Sequence, residues 1–213
     1  MPRPSRNVDQ QLLASGRELY PAAGAGGLSL RRVAEHAGVN LGMFHYHFGN
    51  KEAFVRAVLA SLYEPMFAEL EGAARAGGDP VATLRGTVGV IARFGRDNRR
   101  ALRRVLADAL GGEPAALDFV RENFPRHVRV IVGLVGAAQQ AGRIAPLPLP
   151  QAVAFLAGAV AAPILVGSAI AESDLAPPGF AGQFDALVLS DHAITQRIDL
   201  ALFALAARSR EPS

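Results

Sequence analysis

The side chains best suited to contact a nucleic acid are concentrated between residues 29 and 51. Residues 41–47 read LGMFHYH, a segment with aromatic and imidazole side chains, one glycine and no acidic residue. Such side chains can contact base edges or phosphate oxygens, and a glycine allows the backbone to approach closely. Arg31 lies upstream and can pair with both acceptor atoms of a guanine. A segment of this composition suits the surface of a nucleic acid if it lies on an exposed helix.

Capping residues divide this segment into helices. Ser29, Asn40 and Asn50 each precede a helical pattern, where a side-chain oxygen can accept a bond from an unpaired backbone N–H. Gly38 follows the first of these helices, at a position that favours a left-handed residue. A helix, a glycine-containing turn and a short second helix form the helix-turn-helix pattern. In that motif the second helix enters the major groove.

The sequence of residues 38–54, GVNLGMFHYHFGNKEAF, resembles the segment of TetR-family transcriptional regulators that usually reads G-V-S-x-G-x-[LIV]-Y-x-H-F-x-[SN]-K-E-x-L. Residues 28–38, LSLRRVAEHAG, resemble the helix that precedes it in that family. The resemblance implies an all-α fold with an N-terminal three-helix helix-turn-helix DNA-binding domain. It also implies a larger C-terminal helical domain that binds an effector and dimerises. The matching positions are Gly38, Val39, Gly42, His47, Phe48, Lys51 and Glu52.

The resemblance also implies roles for the residues of this segment. Arg31, Leu41, Met43 and His45 are expected to reach base edges. Leu41 and Met43 replace polar residues of the family and offer only apolar contact, for instance to a thymine methyl group. His45 replaces a tyrosine, so these departures leave the operator sequence unpredicted. Contacts to phosphates, which fix register, are expected from Ser29, Tyr46, His47 and Lys51, and close backbone approach is expected at Gly42.

We predict two domains. The DNA-binding domain covers residues 1–50, and the effector-binding and dimerisation domain covers residues 51–213. The first helix is predicted to span Val8 to Tyr20, with a loop after Pro21. Further helices are predicted near residues 51–75, 80–95, 98–110, 115–141, 150–172 and 190–208, with a loop or partly ordered flap over residues 173–189.

One uncharged stretch, Ala152 to Ala171, is long enough to cross a bilayer. Its many alanines and glycines and the central Pro163 favour instead a soluble helix that is buried on all sides, so no membrane partner is expected. With the helix near residues 190–208 it is typical of half a four-helix bundle. The resemblance implies a homodimer through these two helices. Two recognition helices about one turn of DNA apart would read a palindromic operator.

Several apolar residues and one histidine of the C-terminal domain are candidates for an effector pocket. At helical spacing such residues more often belong to the core than to a pocket. Pockets for small molecules are mainly apolar with a few polar groups, so we expect an apolar or aromatic effector. The candidates are Met66, Phe67, Phe94, Phe124 and His127.

Arginines outside the DNA-contact segment fall into two groups. Arg3 and Arg6 belong either to a disordered tail or to an arm that reaches the minor groove. The second group is expected to form a solvated face, and a second electrostatic contribution to DNA approach is the alternative. This group consists of Arg93, Arg96, Arg99, Arg100, Arg103 and Arg104.

Other classes of protein are disfavoured. The 213 residues include no cysteine, so disulfides and thiolate metal sites are excluded. His36, His45 and His47 lack further ligands at suitable spacing, and neither a metal nor a cofactor is expected. No common hydrolase, phosphate-loop or zinc-protease motif is present, which argues against an enzyme. The N-terminus has no apolar signal region, so we expect a cytoplasmic protein.

The expected function is that of a sequence-specific transcriptional regulator, a repressor released from its palindromic operator by a small apolar effector. The first alternative is a DNA-binding protein of the same fold that acts through a protein partner without a small ligand. The second alternative is an enzyme or small-molecule carrier that shares only the helical body. A ligand-sized cavity would argue against the first alternative. Loss of all DNA binding with an intact fold would favour the second.

Overall fold

The computed structural model describes residues 7–207, and the predicted all-α fold is confirmed. Within this range no strand occurs, and the extended pairing is limited to an isolated bridge between Ile144 and Ala206. The predicted arm with Arg3 and Arg6 lies outside the described residues. The α-helices are α1 (Val8–Gly27), α2 (Leu30–His36), α3 (Leu41–Phe48), α4 (Lys51–Arg75), α5 (Pro80–Asp97), α6 (Arg99–Leu110), α7 (Pro114–Gln140), α8 (Leu149–Ala162), α9 (Ser168–Ala171), α10 (Phe180–Phe184) and α11 (Asp191–Leu205). Two π-helical turns, Pro163–Gly167 and Asp185–Leu189, follow α8 and α10.

Packing divides the chain into two compact units. The first, which we call the N-terminal unit, consists of the described part of Met1–Pro65 together with Arg100–Phe124. The second, the C-terminal unit, consists of Met66–Arg99 and the described part of Pro125–Ser213. Most of α6 and the first part of α7 therefore pack with the helix-turn-helix. The predicted boundary after residue 50 does not coincide with this division, and as a boundary between roles it remains a prediction.

The core of the N-terminal unit is built from the inward faces of α1 to α4, with Val105 of α6 and Ala115 of α7. Leu12, Phe44 and Phe54 are fully buried within it. Burying a side chain of this size contributes about 1.5–3 kcal/mol, so these three residues hold the short helices α2 and α3 in place. Isolated helices of seven or eight residues are unstable in water, so this packing is what makes them form.

The prediction that α1 ends before Pro21 was wrong, because the helix continues to Gly27. A proline inside a helix removes one backbone hydrogen bond, yet the chain is helical on both sides of Pro21. Helical geometry is interrupted only at Gly24, which has φ 65° and ψ 179°. Beyond it the backbone N–H of Ala25 donates a 2.7 Å hydrogen bond to the buried carboxylate of Asp108. The end of α1 is thus fixed by a residue that lies far away in the sequence.

The core of the C-terminal unit is formed by α5, the second part of α7, α8 and α11. Leu84, Val135 and Ala152 have no exposed surface, and Ile164 and Ile194 are each 1% exposed. The segment predicted as a loop or partly ordered flap contains α10 and the second π-helical turn, and Leu189 at its end joins the core.

The long apolar helix is not buried on all sides in the single chain, which corrects the prediction. Leu149–Ala171 is the one described helix long and apolar enough to cross a membrane, and 22% of its most apolar window is buried. One stripe, which includes Leu156 and Val160, packs into the core, and the opposite stripe is exposed. The helix is interrupted at Pro163, where a π-helical turn accommodates the missing backbone N–H.

The expectation of a solvated arginine face was wrong for Arg96 and Arg99, whose side chains are 21% and 23% exposed. Arg96 donates to Asp191 at 2.6 Å, and Arg99 donates to Glu172 at 2.7 Å. Both pairs lie within the C-terminal unit and join residues more than 70 positions apart. A sequence pattern cannot show such partners, because they come from later helices.

Candidate nucleic-acid interface

The turn between α2 and α3 has the geometry that its residues predicted. Gly38 has φ 66°, a left-handed conformation that glycine adopts without strain. Its N–H donates to Glu35 O at 3.1 Å, and the N–H of Val39 donates to Ala34 O at 3.0 Å. This pair of bonds is the Schellman arrangement, which satisfies the last carbonyls of α2. Val39 packs against the core, so the angle between the two helices is fixed.

Side-chain caps begin all three helices at the predicted residues. Ser29 Oγ accepts from the backbone N–H of Arg32 at 3.4 Å. Asn40 Oδ1 accepts from Gly42 N at 2.7 Å, and Asn50 Oδ1 accepts from the N–H of residue 53 at 2.8 Å. Each cap contributes about 1 kcal/mol, which matters most for helices of this length.

Two aromatic residues on the inner face of α3 anchor it to α4. The ring of Phe44 is fully buried, and its centroid lies 4.8 Å from that of Phe54. Phe48 is partly buried at 4.9 Å from the same ring. Both pairs have the edge-to-face geometry that aromatic rings favour. The anchoring determines which side of α3 faces outward.

The outward side of α3 presents Leu41, Gly42, His45 and Tyr46, all of them exposed. His45 Nδ1 lies 3.1 Å from Gly49 O, and since a carbonyl only accepts, Nδ1 carries the proton in this contact. The Nε2 atom of the neutral ring is then an acceptor, suited to the amino group of a cytosine or adenine. Tyr46 is 76% exposed, and its hydroxyl can donate to a phosphate. The assignment of these four residues to DNA contact remains a prediction.

Two of the predicted contact residues are less accessible than the pattern suggested. Met43 is half-buried and packs against the core of the N-terminal unit. His47 is half-buried too, and its Nε2 atom is inaccessible, without a hydrogen-bond partner among the described residues. Contact between His47 and a phosphate would therefore have to use Nδ1. The pattern assigned both residues to the exposed face because α3 is too short for its periodicity to fix their orientation.

Arg31 lies on the exposed surface of α2, where its Nε donates to Glu35 at 2.9 Å. Both side chains are more than half exposed, so this pair contributes only about 0.3–0.5 kcal/mol. Arg31 can therefore leave Glu35 at little cost and bind a guanine or a phosphate instead. Lys51, at the start of α4, donates to the carbonyl oxygen of Gly26 at the end of α1. Lysine has three donors, so this bond leaves donors for the predicted phosphate contact.

A buried network around Asp108 positions the end of α1, and sequence reasoning missed it. Its Oδ2 atom accepts from the Tyr20 hydroxyl at 2.8 Å and from Ala25 N at 2.7 Å. Its Oδ1 atom accepts from Arg104 Nε at 2.8 Å. Burial and the hydrogen bond to Asp108 raise the pKa of Tyr20 well above its ordinary value. The available signal was the single acidic residue of α6, four positions after an arginine.

The predicted effector residues differ widely in their burial. Met66 is 6% exposed, Phe94 and His127 are half-buried, and Phe124 belongs to the other unit and is 56% exposed. The guanidinium of Arg126 lies 4.0 Å from the centroid of Phe67. Two surface depressions of about 470 and 370 Å³ lie around α11, and none of the five candidates lines either one. Their role in effector binding remains a prediction.

Comparison with known proteins identifies the family. The profile described as "Bacterial regulatory proteins, tetR family" matches residues 12–58, a range that includes α2 and α3 and extends into α1 and α4. The HTH-type transcriptional regulator RutR of Escherichia coli K12 is 26% identical over 145 residues, which are 68% of each chain. The chain belongs to the TetR family.

The fold of the whole chain is similar to the solved structures of other TetR-family regulators. The ketosteroid transcriptional regulator KstR2 of Mycobacterium tuberculosis has a TM-score of 0.69 at 16% identity, covering 98% of both chains. The regulator PfmR of Thermus thermophilus has a TM-score of 0.67 at 18% identity, covering 90% of this chain and 97% of its own. At these identities the likeness concerns the fold alone. The TetR-family protein is a DNA-binding regulator of transcription, with α2 and α3 as its helix-turn-helix.

Proposed function

We propose that the protein is a homodimeric repressor that binds a palindromic operator with two copies of α3 and is released by a small effector. The observation that supports a dimer is the exposed apolar face of the C-terminal unit. Soluble proteins rarely expose a contiguous apolar face of this kind unless it binds something. A second copy of the same chain is the natural partner, since a two-fold axis pairs each patch with itself.

The apolar face lies on two neighbouring helical segments of the C-terminal unit. On Leu149–Ala171 the exposed residues include Phe155 at 46%, Val166 at 59% and Ile170 at 46%. On α11 they include Leu200 at 61% and Phe203 at 81%. Two such segments from each protomer would form a four-helix bundle. These are the segments that the sequence predicted for dimerisation.

The proposed mechanism is a population shift between two conformers of the dimer. In one, the copies of α3 are about one turn of DNA apart and read the two halves of the operator. In the other, α4 has moved and the spacing no longer matches. An effector weakens DNA binding only by the difference between its affinities for the two conformers. The protein acts on the chromosome, and we therefore place it in the cytoplasm.

Dimerisation through this face is tested by light scattering on a sizing column with the Phe203→Glu variant. The wild type should elute with about twice the 22.4 kDa chain mass, and the variant should dissociate because a charge cannot be buried there unpaired. Leu110→Glu, on an exposed residue of α6, is the control and should stay dimeric. A dimeric Phe203→Glu variant would place the interface elsewhere.

A second candidate is a regulator of the same fold that acts through a protein partner. It is favoured by the two surface depressions around α11, because none of the predicted effector residues lines either of them. Unfolding temperatures measured with a library of small apolar compounds separate the two candidates. A saturable stabilisation that also weakens operator binding supports the effector, whereas operator binding that responds only to a protein supports the second candidate.

A further inference from the structure

Arg197 of α11 is partly buried, and one edge of its guanidinium group has no protein acceptor. On the other edge, Nη1 donates to the carbonyl oxygen of Val188 at 2.6 Å. Nε and Nη2 are shielded from solvent and have no hydrogen-bond partner within residues 7–207. Buried donors are normally paired, so two shielded donors on one charged group require an explanation.

Three carboxylates of the C-terminal unit are already paired with other arginines. Burial lowers the pKa of Arg197, and no carboxylate opposes this effect. The contrast is Arg96, where a hydrogen bond to a carboxylate raises the pKa in spite of burial. Even with a lowered pKa, a guanidinium stays charged at neutral pH. The occupied pairs are Arg99–Glu172, Arg96–Asp191 and Arg85–Asp199.

We propose, on the basis of the ligand-responsive function proposed above, that the Nε–Nη2 edge of Arg197 binds the carboxylate of an amphipathic effector. The N–H groups of these two atoms point in the same direction, at the separation of the two oxygens of a carboxylate. This is the bidentate geometry for which arginine is better suited than lysine. The effector is then an apolar molecule with one carboxylate, rather than a wholly apolar one.

The segment from Phe180 to Leu189, which contains the acceptor of Nη1, indicates that the rest of the effector is apolar. Val188, which accepts from Nη1, is followed by the buried Leu189. Phe184 packs against the core, with its ring so close to Gly167 that a Cβ there would lie 2.6 Å from it. The residues between Phe180 and Leu189 include a π-helical turn, a geometry that is frequent at functional sites. Entry of the effector requires this segment to move outward.

The test is thermal unfolding of the full-length protein with matched pairs of probes at constant ionic strength. Octanoate and 4-phenylbutyrate are compared with octanamide and 4-phenylbutyramide, which keep the apolar body and lose the charge. The carboxylates should raise the Tm of the wild type in a saturable way, because they bind only the folded state. The amides should bind about tenfold more weakly or worse, since they cannot pair with the guanidinium charge.

Arg197→Met separates an effector site from a structural arginine. The variant should lose the response to carboxylates, and without probe its Tm should equal or exceed that of the wild type, because an unpaired buried charge has been removed. Arg197→Lys keeps the charge without the two-pronged edge and should recover only part of the response. Arg85→Met removes an arginine that is already paired with Asp199, and it should respond like the wild type.

Three results would overturn the assignment. One is equal stabilisation of wild type and Arg197→Met, which would place the carboxylate elsewhere. Another is a lower Tm of Arg197→Met together with dissociation of the dimer, which would mean that a carboxylate of the second copy pairs with Arg197. The third is no stabilisation by either carboxylate. All three results are measured without DNA. Operator binding by the wild type is a separate measurement, so failure of the carboxylate site can be distinguished from failure of the proposed function.

Discussion

The hydroxyl of Tyr20 donates a 2.8 Å hydrogen bond to Asp108, joining α1 to α6 inside the N-terminal unit. The same carboxylate accepts from Ala25 N and from Arg104, so it is shared by three donors. Asp108 is 5% exposed, and a buried carboxylate with three donors is well compensated. It fixes the end of α1 and thereby the start of the helix-turn-helix.

Replacement of this carboxylate should therefore destabilise the protein. We expect Asp108→Asn to lower the free energy of unfolding by about 2 kcal/mol, because an amide cannot accept from three donors as well as a carboxylate. The measurement is urea unfolding at neutral pH. Asp118→Asn is the matched control, because Asp118 pairs with Arg56 at 3.5 Å on the surface and should cost less than about 1 kcal/mol. Equal losses of stability in the two variants would show that the buried carboxylate of Asp108 contributes no more than a surface carboxylate.

Tyr20 should make stability depend on alkaline pH. Its pKa is raised in the folded protein, so at high pH the unfolded chain releases the phenolic proton while the folded protein retains it. The contribution to stability is complete below about pH 10 and is lost as the pH rises further. At about pH 8 the wild type should exceed Tyr20→Phe by about 2 kcal/mol, and the gap should narrow above about pH 10. A gap that stays constant with pH would contradict the raised pKa.

Local signals made the helix-turn-helix predictable from the sequence. The caps at Ser29, Asn40 and Asn50 and the left-handed Gly38 act over a few residues, so their pattern determines their structure. The extension of α1 past Pro21 was not predictable, because the end of this helix is held by a carboxylate 83 positions away from Ala25.

The candidate site was predictable to a lesser degree than the fold. The exposure of Leu41, His45 and Tyr46 followed from their places on α3, but the partial burial of Met43 depends on packing within the unit. In the sequence, Arg197 is one polar residue of an ordinary amphipathic helix. That its Nε and Nη2 atoms are shielded and that Nη1 bonds Val188 can be known only from the structure. Pairings of this kind arise from tertiary structure alone.

Gly42 should be required for DNA binding rather than for folding. A Cβ at this position would meet only Asn40 Oδ1, at 3.2 Å, so the fold can accommodate Gly42→Ala with a small adjustment. Its stability should stay within about 1 kcal/mol of the wild type, because alanine favours helix more than glycine does. Its affinity for operator DNA should fall about tenfold or more, since a methyl group stands between backbone and phosphate. Fluorescence anisotropy measures the affinity.

Gly72→Ala is the control for this experiment, since it adds the same methyl group on α4 where no atom lies within 4 Å. It should bind operator like the wild type. If Gly42→Ala binds operator DNA as tightly as the wild type, the backbone of α3 at Gly42 does not lie close to the DNA.

Arg31 and Tyr46 should differ in the kind of loss that their replacement causes. Arg31→Ala should cost about 1–3 kcal/mol on the preferred sequence and relax the base preference at one position of each half-site. Tyr46→Phe should weaken binding to all sequences by about 1 kcal/mol, because the hydroxyl contacts a phosphate. Binding to a set of single-base operator variants distinguishes the two patterns. The same loss of preference in both variants would contradict this division.

The most direct test of operator reading by a dimer is selection of bound fragments from a random DNA pool by the purified wild-type protein at near-physiological salt. Gly42→Ala treated in parallel is the control for sequence-blind retention. A dimer that reads an operator should recover a palindrome whose half-sites are centred about one helical turn apart, roughly 34 Å, and the variant should enrich it less. Recovery of unrelated fragments whose binding disappears with added salt would contradict operator reading by a dimer, since non-specific phosphate contact behaves in that way.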